Sequence, residues 1–226
     1  MVKIVYEDKN IIAVNKPPGI VVFHEEQKAT KEDCLSTLLV SSFPSIKGVG
    51  GARNGAVHRL DKDTSGIILF AKNEKSLLFL QRELLEQRAK KRYITLVFKT
   101  IRKDEGEIRT FIDRSPKNRR KQRAHKSKGK RDAITFFKVI TRFSSHSLLE
   151  VWPKTGRKHQ IRCHLSHIGH PVAGDNLYGF KDQKDPLSLK RLFLHAESIE
   201  INTLSGKKIF SAPLAPDLQK VLDKLI

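Results

Sequence analysis

The sequence predicts an α+β fold, on three observations. Short apolar runs of strand type recur from one end of the chain to the other. Helical periodicity is confined to two stretches, and strands and helices do not alternate one for one as a parallel β/α sheet requires. The 226 residues, 38% hydrophobic and 30% charged, suffice for one substantial core. With no internal repeat and no dividing linker, residues 1–226 read as a single domain.

The elements follow in order. Ile4–Tyr6 and Ile11–Val14 read as two short strands separated by polar Glu7-Asp8-Lys9-Asn10. Lys16-Pro17-Pro18-Gly19 ends the pairing, because proline lacks the ladder donor and fixes φ. Gly48–Gly55, with four glycines, reads as a flexible loop that feeds into His58-Arg59-Leu60-Asp61. Ile67–Ala71 is a continuous apolar run with β-branched residues, the pattern of a buried strand. Asn73 is the expected N-cap of a helix whose Leu77, Leu80 and Leu84 share one face. Residues 93–98 alternate as a two-faced strand, with Tyr93 opposite Ile94. Further strands are expected around 107–112, 133–140, 148–152, 192–201 and 208–211. A second helix is expected over Lys158–Ile168, with Ile161, Leu165 and Ile168 as its apolar stripe and Gly169 at C′.

Charge constrains the partner. The net charge is +20 and the isoelectric point is near 10.1, so a polyanion is implied, nucleic acid before an anionic membrane. Ten Lys or Arg and no acid lie in Arg114–Arg131, which reads as a long exposed loop or hairpin. No apolar leader or membrane-length run is present, and no amphipathic basic helix stands out. Cys34 and Cys163 show no paired framework, as suits a reduced cytoplasm.

Three segments could carry chemistry. In His58–Gly66, Asp61 sits between Arg59 and Lys62 at the edge of the predicted strand 67–71; alone, this reads as a solvated loop with local ion pairs. In Thr155–His164, a helix N-terminus rich in Lys and Arg offers a phosphate site, and Arg162, at the margin of the apolar stripe, would need an anionic partner if buried. The plainer reading there is a surface helix with a charged flank. His159, His164, His167 and His170 are spaced as metal ligands could be. They lack a HExxH motif, a zinc-type Cys pair and a carboxylate, so RNA contact or capping is the better expectation.

The order of motifs resembles the RluA-type pseudouridine synthases over nearly the whole chain. The resemblance runs from Glu7-Asp8 and Asn15-Lys16-Pro17-Pro18-Gly19 through His58-Arg59-Leu60-Asp61, Thr64-Ser65-Gly66 and Lys91-Arg92-Tyr93. It continues through Thr155-Gly156-Arg157-Lys158-His159-Gln160-Ile161-Arg162, Gly169-His170-Pro171, Gly174-Asp175 and Tyr178-Gly179 to Leu194-His195-Ala196. It implies a bent, mostly antiparallel sheet with flanking helices and a central RNA-binding cleft. It implies isomerisation of specific uridines in structured rRNA or tRNA, without cofactor or metal; a cytoplasmic location and a monomer are the accompanying expectations. By the resemblance, Asp61 is the catalytic carboxylate, Tyr93 packs on the target base, Arg162 pairs with Asp61, Arg59 enters the vacated stack, and Leu194 lines the base pocket. His58, Thr64, Arg157, Lys158, His159 and Gln160 are the further RNA-binding candidates. The chain begins almost at the first motif, so the expectation is a catalytic domain alone, without the N-terminal S4-like domain of many relatives. Arg114–Arg131 would then grip RNA in its place, or be a solvated loop. The alternatives are a non-catalytic RNA-binding or ribosome-assembly protein on the same fold, and a metal-dependent RNA hydrolase.

Overall fold

The computed structural model describes residues 2–24, 34–127, 132–180, 187 and 189–225. In chain order the elements are β1 (Lys3–Glu7), β2 (Ile11–Lys16), α1 (Leu35–Ser42), β3 (Ser65–Ala71), α2 (Glu74–Leu85), β4 (Lys90–Phe98), β5 (Glu105–Arg114), β6 (Gln122–His125), β7 (Asp132–Arg142), β8 (His146–Pro153), α3 (Gln160–His167), β9 (Leu194–Thr203), β10 (Gly206–Ser211) and α4 (Pro216–Leu222). They form two compact units, Met1–Lys90 with Ala196–Ala215 and Lys91–His195 with Pro216–Ile226. Both mix strands and helices, as the sequence predicts.

The first unit is built on β2 and β3, antiparallel from Ile11 opposite Ala71 to Lys16 opposite Gly66. β1 adds to β2 through a turn in which Asp8 Oδ1 accepts the N–H groups of Asn10 and Ile11 at 2.7 and 2.8 Å. Every residue of β3 is buried, which is why its sequence is apolar without alternation. Asn73 caps α2 as predicted, its Oδ1 accepting from Ser76 N–H at 2.9 Å. Leu77 and Leu80 of α2 join Ile11, Ala13, Ile67, Leu69, Ile199 and Phe210 in one core cluster, with Leu84 packed against it. Glu83, also buried, accepts from Arg88 and from Asn202 Nδ2, fastening α2 to β9. The glycine-rich stretch departs from the expected flexible loop. Consecutive tight turns link Gly51 N–H to Gly48 O at 2.9 Å and Gly55 N–H to Val49 O at 2.7 Å. The left-handed φ of its glycines permits this winding.

The second unit is an antiparallel succession in which β4 pairs with β8, β8 with β7, β7 with β5, and β5 with β6. β4 is not the two-faced strand expected: Thr95 to Phe98 are all buried, since β4 packs against β8 on one side and receives Phe193 O on the other. α3 is shorter than expected, because His159 takes a left-handed conformation (φ 54°) and the helix starts only at Gln160. Ile161 and Leu165 pack with Val97, Leu149, Val151 and Leu194. The third expected stripe residue, Ile168, instead ends the helix at the surface. The basic stretch is a hairpin: β5 runs to Arg114 and β6 pairs back on it, leaving Arg114, Lys117, Arg119, Arg120 and Arg123 exposed. Residues 128–131 of that stretch lie outside the described residues. No helix among the described residues is long and apolar enough to cross a membrane.

Candidate active site

In the first unit the candidate site is the turn that carries Asp61. Leu60 is buried and anchors it, Asp61 is half-buried, and Thr64 N–H closes it on Asp61 O at 3.1 Å. The turn is held from beneath by Lys16, a residue with no surface exposure at the end of β2. Its Nζ donates to the carbonyls of Pro17, Ile20 and Lys62, each at 2.8 Å. Gly19 N–H donates to the same Lys62 O at 2.9 Å. One buried ammonium thereby sets the Pro-Pro-Gly turn against the residue that follows Asp61. On the far side, Gly66 (φ 114°) lies so close to Ala196 that a β-carbon would collide with its carbonyl oxygen. Only glycine fits there, and this fixes how the chain leaves the turn into β3.

The neighbours of Asp61 differ in exposure. Arg59 is exposed, with its guanidinium 5.7 Å from the centroid of the Phe23 ring, which Arg53 also approaches at 5.1 Å. His58 is half-buried, and its Nε2 lies 3.3 Å from Leu69 N–H. Thr64, expected at the RNA surface, is instead buried, and its hydroxyl has no hydrogen-bond partner among the described residues.

In the second unit the site grows from β4 and α3. Tyr93 packs against the apolar cluster that contains Val151, Ile161 and Leu194, so the aromatic ring and the expected pocket leucine share one neighbourhood. Arg162, next in chain to Ile161, is buried, as its place at the stripe's margin suggests. The anion it finds within this unit is Asp175, in a two-pronged pair at 2.6 and 2.9 Å. Asp175 Oδ1 also accepts the N–H groups of Leu177 and Tyr178 at 2.9 and 3.1 Å. The arginine stands 5.2 Å from the Tyr178 ring centroid. The Tyr178 hydroxyl accepts Gln122 N–H from β6 at 2.6 Å and lies 3.1 Å from His159 Nδ1. Burial pushes the Tyr178 phenol well above its ordinary range, so it stays neutral.

The turn before α3 is organised by Gln160, expected from the sequence to contact RNA. The structure corrects this. Gln160 is buried, with Oε1 accepting from Thr155 Oγ1 and Arg157 N–H at 2.8 and 3.0 Å. Its Nε2 donates to Ile134 O and Thr135 Oγ1, both at 2.9 Å. Gln160 thus shapes the turn while Arg157 and Lys158 stand exposed on it. The histidines do not converge. His164 is fully buried between Thr110 and Thr135 hydroxyls, His170 Nδ1 faces Phe98 O, and His159 faces Tyr178. Among the described residues no three His, Cys, Asp or Glu side chains are gathered to hold a metal ion.

The sequence points to Asp61, Tyr93, Arg162 and Leu194 but gives no role to Lys16, Asp175 or Tyr178. All three stand in motifs that carry the family resemblance. Their roles depend on burial and on partners distant in sequence, Lys62 O for Lys16, the Arg162 side chain for Asp175 and Gln122 N–H for Tyr178, which spacing does not reveal.

Comparison with known proteins adds to this geometry. Residues 10–167 match the family model described as RNA pseudouridylate synthase. The ribosomal large subunit pseudouridine synthase D of Borreliella burgdorferi is 38% identical over 214 residues, 92% of this chain and 63% of the relative. An uncharacterized RNA pseudouridine synthase of Synechocystis sp. is 36% identical over 223 residues, 97% of this chain and 67% of the relative. The chain thus spans about two thirds of the length of the curated relatives it matches. Among solved structures, human RNA pseudouridylate synthase domain containing 1 superposes with a TM-score of 0.79 at 26% identity, covering 98% of this chain and 87% of that one.

Proposed function

The chain belongs to the RNA pseudouridylate synthase family, and from that premise we propose that it isomerises uridine to pseudouridine in structured RNA, with Asp61 as the catalytic carboxylate. The reaction breaks the N1–C1′ bond, turns the uracil over and joins C5 to C1′; the C5 proton is released to solvent and N1 takes up a proton in its place. No electron and no group is gained, so a carboxylate held in place suffices, acting as nucleophile at C1′ or as base at C2′.

The roles divide by chemistry. Asp61 is the reacting carboxylate, and Arg162 is the cation assigned to pair with it. A stacked uridine must leave its stack to be reached, which calls for an aromatic face to receive it and a planar cation to fill the gap. Tyr93 and Leu194 receive the base; Arg59, exposed and already resting on an aromatic ring, fills the gap. Arg157 and Lys158 contact phosphates. Gln160 and Thr64, both buried, support the loops that carry these residues.

The observation that carries this reading is the shared packing of Tyr93, Leu194 and Ile161, which sets an aromatic face and an apolar wall beside the buried Arg162. The name of the Borreliella relative favours large-subunit rRNA over tRNA as substrate.

The test is release of tritium from C5 of uridine-labelled large-subunit rRNA and tRNA, with EDTA present. Wild-type protein releases tritium, and for Asp61→Ala release falls by roughly 10²–10⁴-fold, the range for a positioned catalytic group of this kind. Equal release by Asp61→Ala would refute the assignment, and release abolished by EDTA would favour a metal-dependent reaction. A non-catalytic RNA-binding protein would bind both RNAs and release nothing.

A further inference from the structure

Among the described residues, Lys91 is a cation with no counterpart. It lies in β4 two residues before Tyr93, and strand alternation puts both side chains on one face, roughly 7 Å apart. Arg92, on the opposite face, is neutralised by Glu150 of β8. Thr95, next along the Tyr93 face, donates to Phe193 O at 2.7 Å. Lys91 alone in this series has neither hydrogen bond nor ion pair among the described residues, although it is half-buried.

The described residues of its own unit offer it no partner. The ammonium stands over Gly156, where a β-carbon would come within 3.9 Å of Nζ. That is ordinary van der Waals contact, and as glycine, residue 156 brings no polar side chain to the ammonium. The segment around Gly156 contributes Lys154, Arg157 and Lys158, and no acid occurs from Val151 to Gly174. Burial without a neighbouring carboxylate pushes the Lys91 amine down to about 8. A half-buried ammonium in that condition costs stability, and an aliphatic residue of the same length would pack there without the penalty. The charge is explained if an anion completes the site when substrate is bound.

We propose that Lys91 is an RNA-binding residue that contacts a backbone phosphate of the nucleotide received by Tyr93 or of its immediate neighbour. The phosphate is the only formal anion RNA offers. A uracil carbonyl would satisfy a hydrogen bond but leave the buried charge uncompensated. This assignment rests on the reading of Tyr93 as the base-receiving residue. It adds a fixed electrostatic contact on the same strand, which would set the depth to which the flipped nucleotide enters.

Lys91→Met keeps the stem and removes the charge; Lys91→Arg keeps the charge. Affinity for a transcribed large-subunit rRNA fragment is measured by filter binding over a series of KCl concentrations, thermal unfolding by calorimetry, and pseudouridine formation separately. For Lys91→Met, Kd rises about tenfold at low salt, the worth of one charge-assisted hydrogen bond. The slope of log K against log salt falls in magnitude by about 0.9, the share of one phosphate, and Lys91→Arg restores it. KM rises by more than kcat falls, and the melting temperature rises, because an uncompensated charge has gone. Unchanged Kd and salt slope in Lys91→Met would overturn the proposal. So would a fall in melting temperature with proportionate loss of all activities, the mark of a structural lysine. Wild-type protein that forms no pseudouridine, yet loses affinity on Lys91→Met, would uphold the phosphate contact and overturn the reaction.

Discussion

Arg162 shows how much a single residue here depends on others. A guanidinium that is 8% exposed keeps its charge, so burying it costs stability unless an anion faces it, and Asp175 supplies one with both oxygens. Asp175 in turn is held by two backbone N–H groups, so the arginine inherits the rigidity of the 175–178 turn. Gly174, immediately before it, lies against the Arg191 carbonyl where no β-carbon fits, which fixes the entry to that turn. Asp175 therefore holds the Arg162 guanidinium in place. Asp175→Asn keeps the shape and removes the formal charge that faces the buried guanidinium. The expected loss is roughly 3 kcal/mol of stability, as for other buried pairs broken on one side. Urea unfolding reads that loss. Single-turnover pseudouridine formation at a temperature where the variant stays folded should fall further than RNA affinity does. Affinity and rate falling together would assign Asp175 a merely structural role.

At the scale of elements, local signals are legible in the sequence and long-range ones are not. The cap at Asn73, the continuous apolar run of β3 and the Leu77–Leu80 face of α2 all arise from neighbours in sequence, and the structure shows each of them. The start of α3 lies two residues later than periodicity predicts, because Gln160 spends its amide on Ile134 and Thr135, more than twenty residues away. The same limit hides Lys16, whose third acceptor, Lys62 O, is 46 residues distant. The short helices α1 and α4 and strand β6 carry too little periodicity to announce themselves. Within α3, His164 shows what such long-range packing does to a titratable group. Enclosed by Thr110 of β5 and Thr135 of β7, it is pushed by burial down to about 4 from an ordinary value of 6.5. The unfolded chain therefore takes up a proton between pH 6.5 and 4 while the folded chain does not. The contribution of neutral His164 is fully present above pH 6.5 and is lost as pH falls toward 4, in total roughly 3 kcal/mol. Urea midpoints measured between about pH 7 and pH 4.5 should fall more steeply for wild type than for His164→Asn, whatever the absolute stability of the variant. Parallel curves would show that His164 titrates normally.

At the scale of the whole molecule the dominant fact is charge, +20 over 226 residues. Such an excess repels itself and destabilises a compact chain, and the repulsion is relieved when phosphates approach. The β5–β6 hairpin concentrates this charge, with Arg114, Lys117, Arg119, Arg120 and Arg123 exposed around a turn closed by Lys121 N–H to Asn118 O at 2.9 Å. Its base is not free surface, however. Gln122 N–H bonds Tyr178, and Tyr178 stands against Arg162, so removing the whole hairpin would also disturb the site. A cleaner experiment changes only the tip, Lys117, Arg119 and Arg120 together to Ser, leaving β6 and its bond to Tyr178 in place. If the hairpin grips the RNA backbone, binding weakens for rRNA and tRNA alike. The slope of log K against log salt then flattens by up to about 2.7, or about 0.9 for each phosphate no longer neutralised. Base-specific readout would instead weaken one RNA more than the other. A solvated hairpin would leave both slopes where they are, and filter binding over a salt series separates the three outcomes.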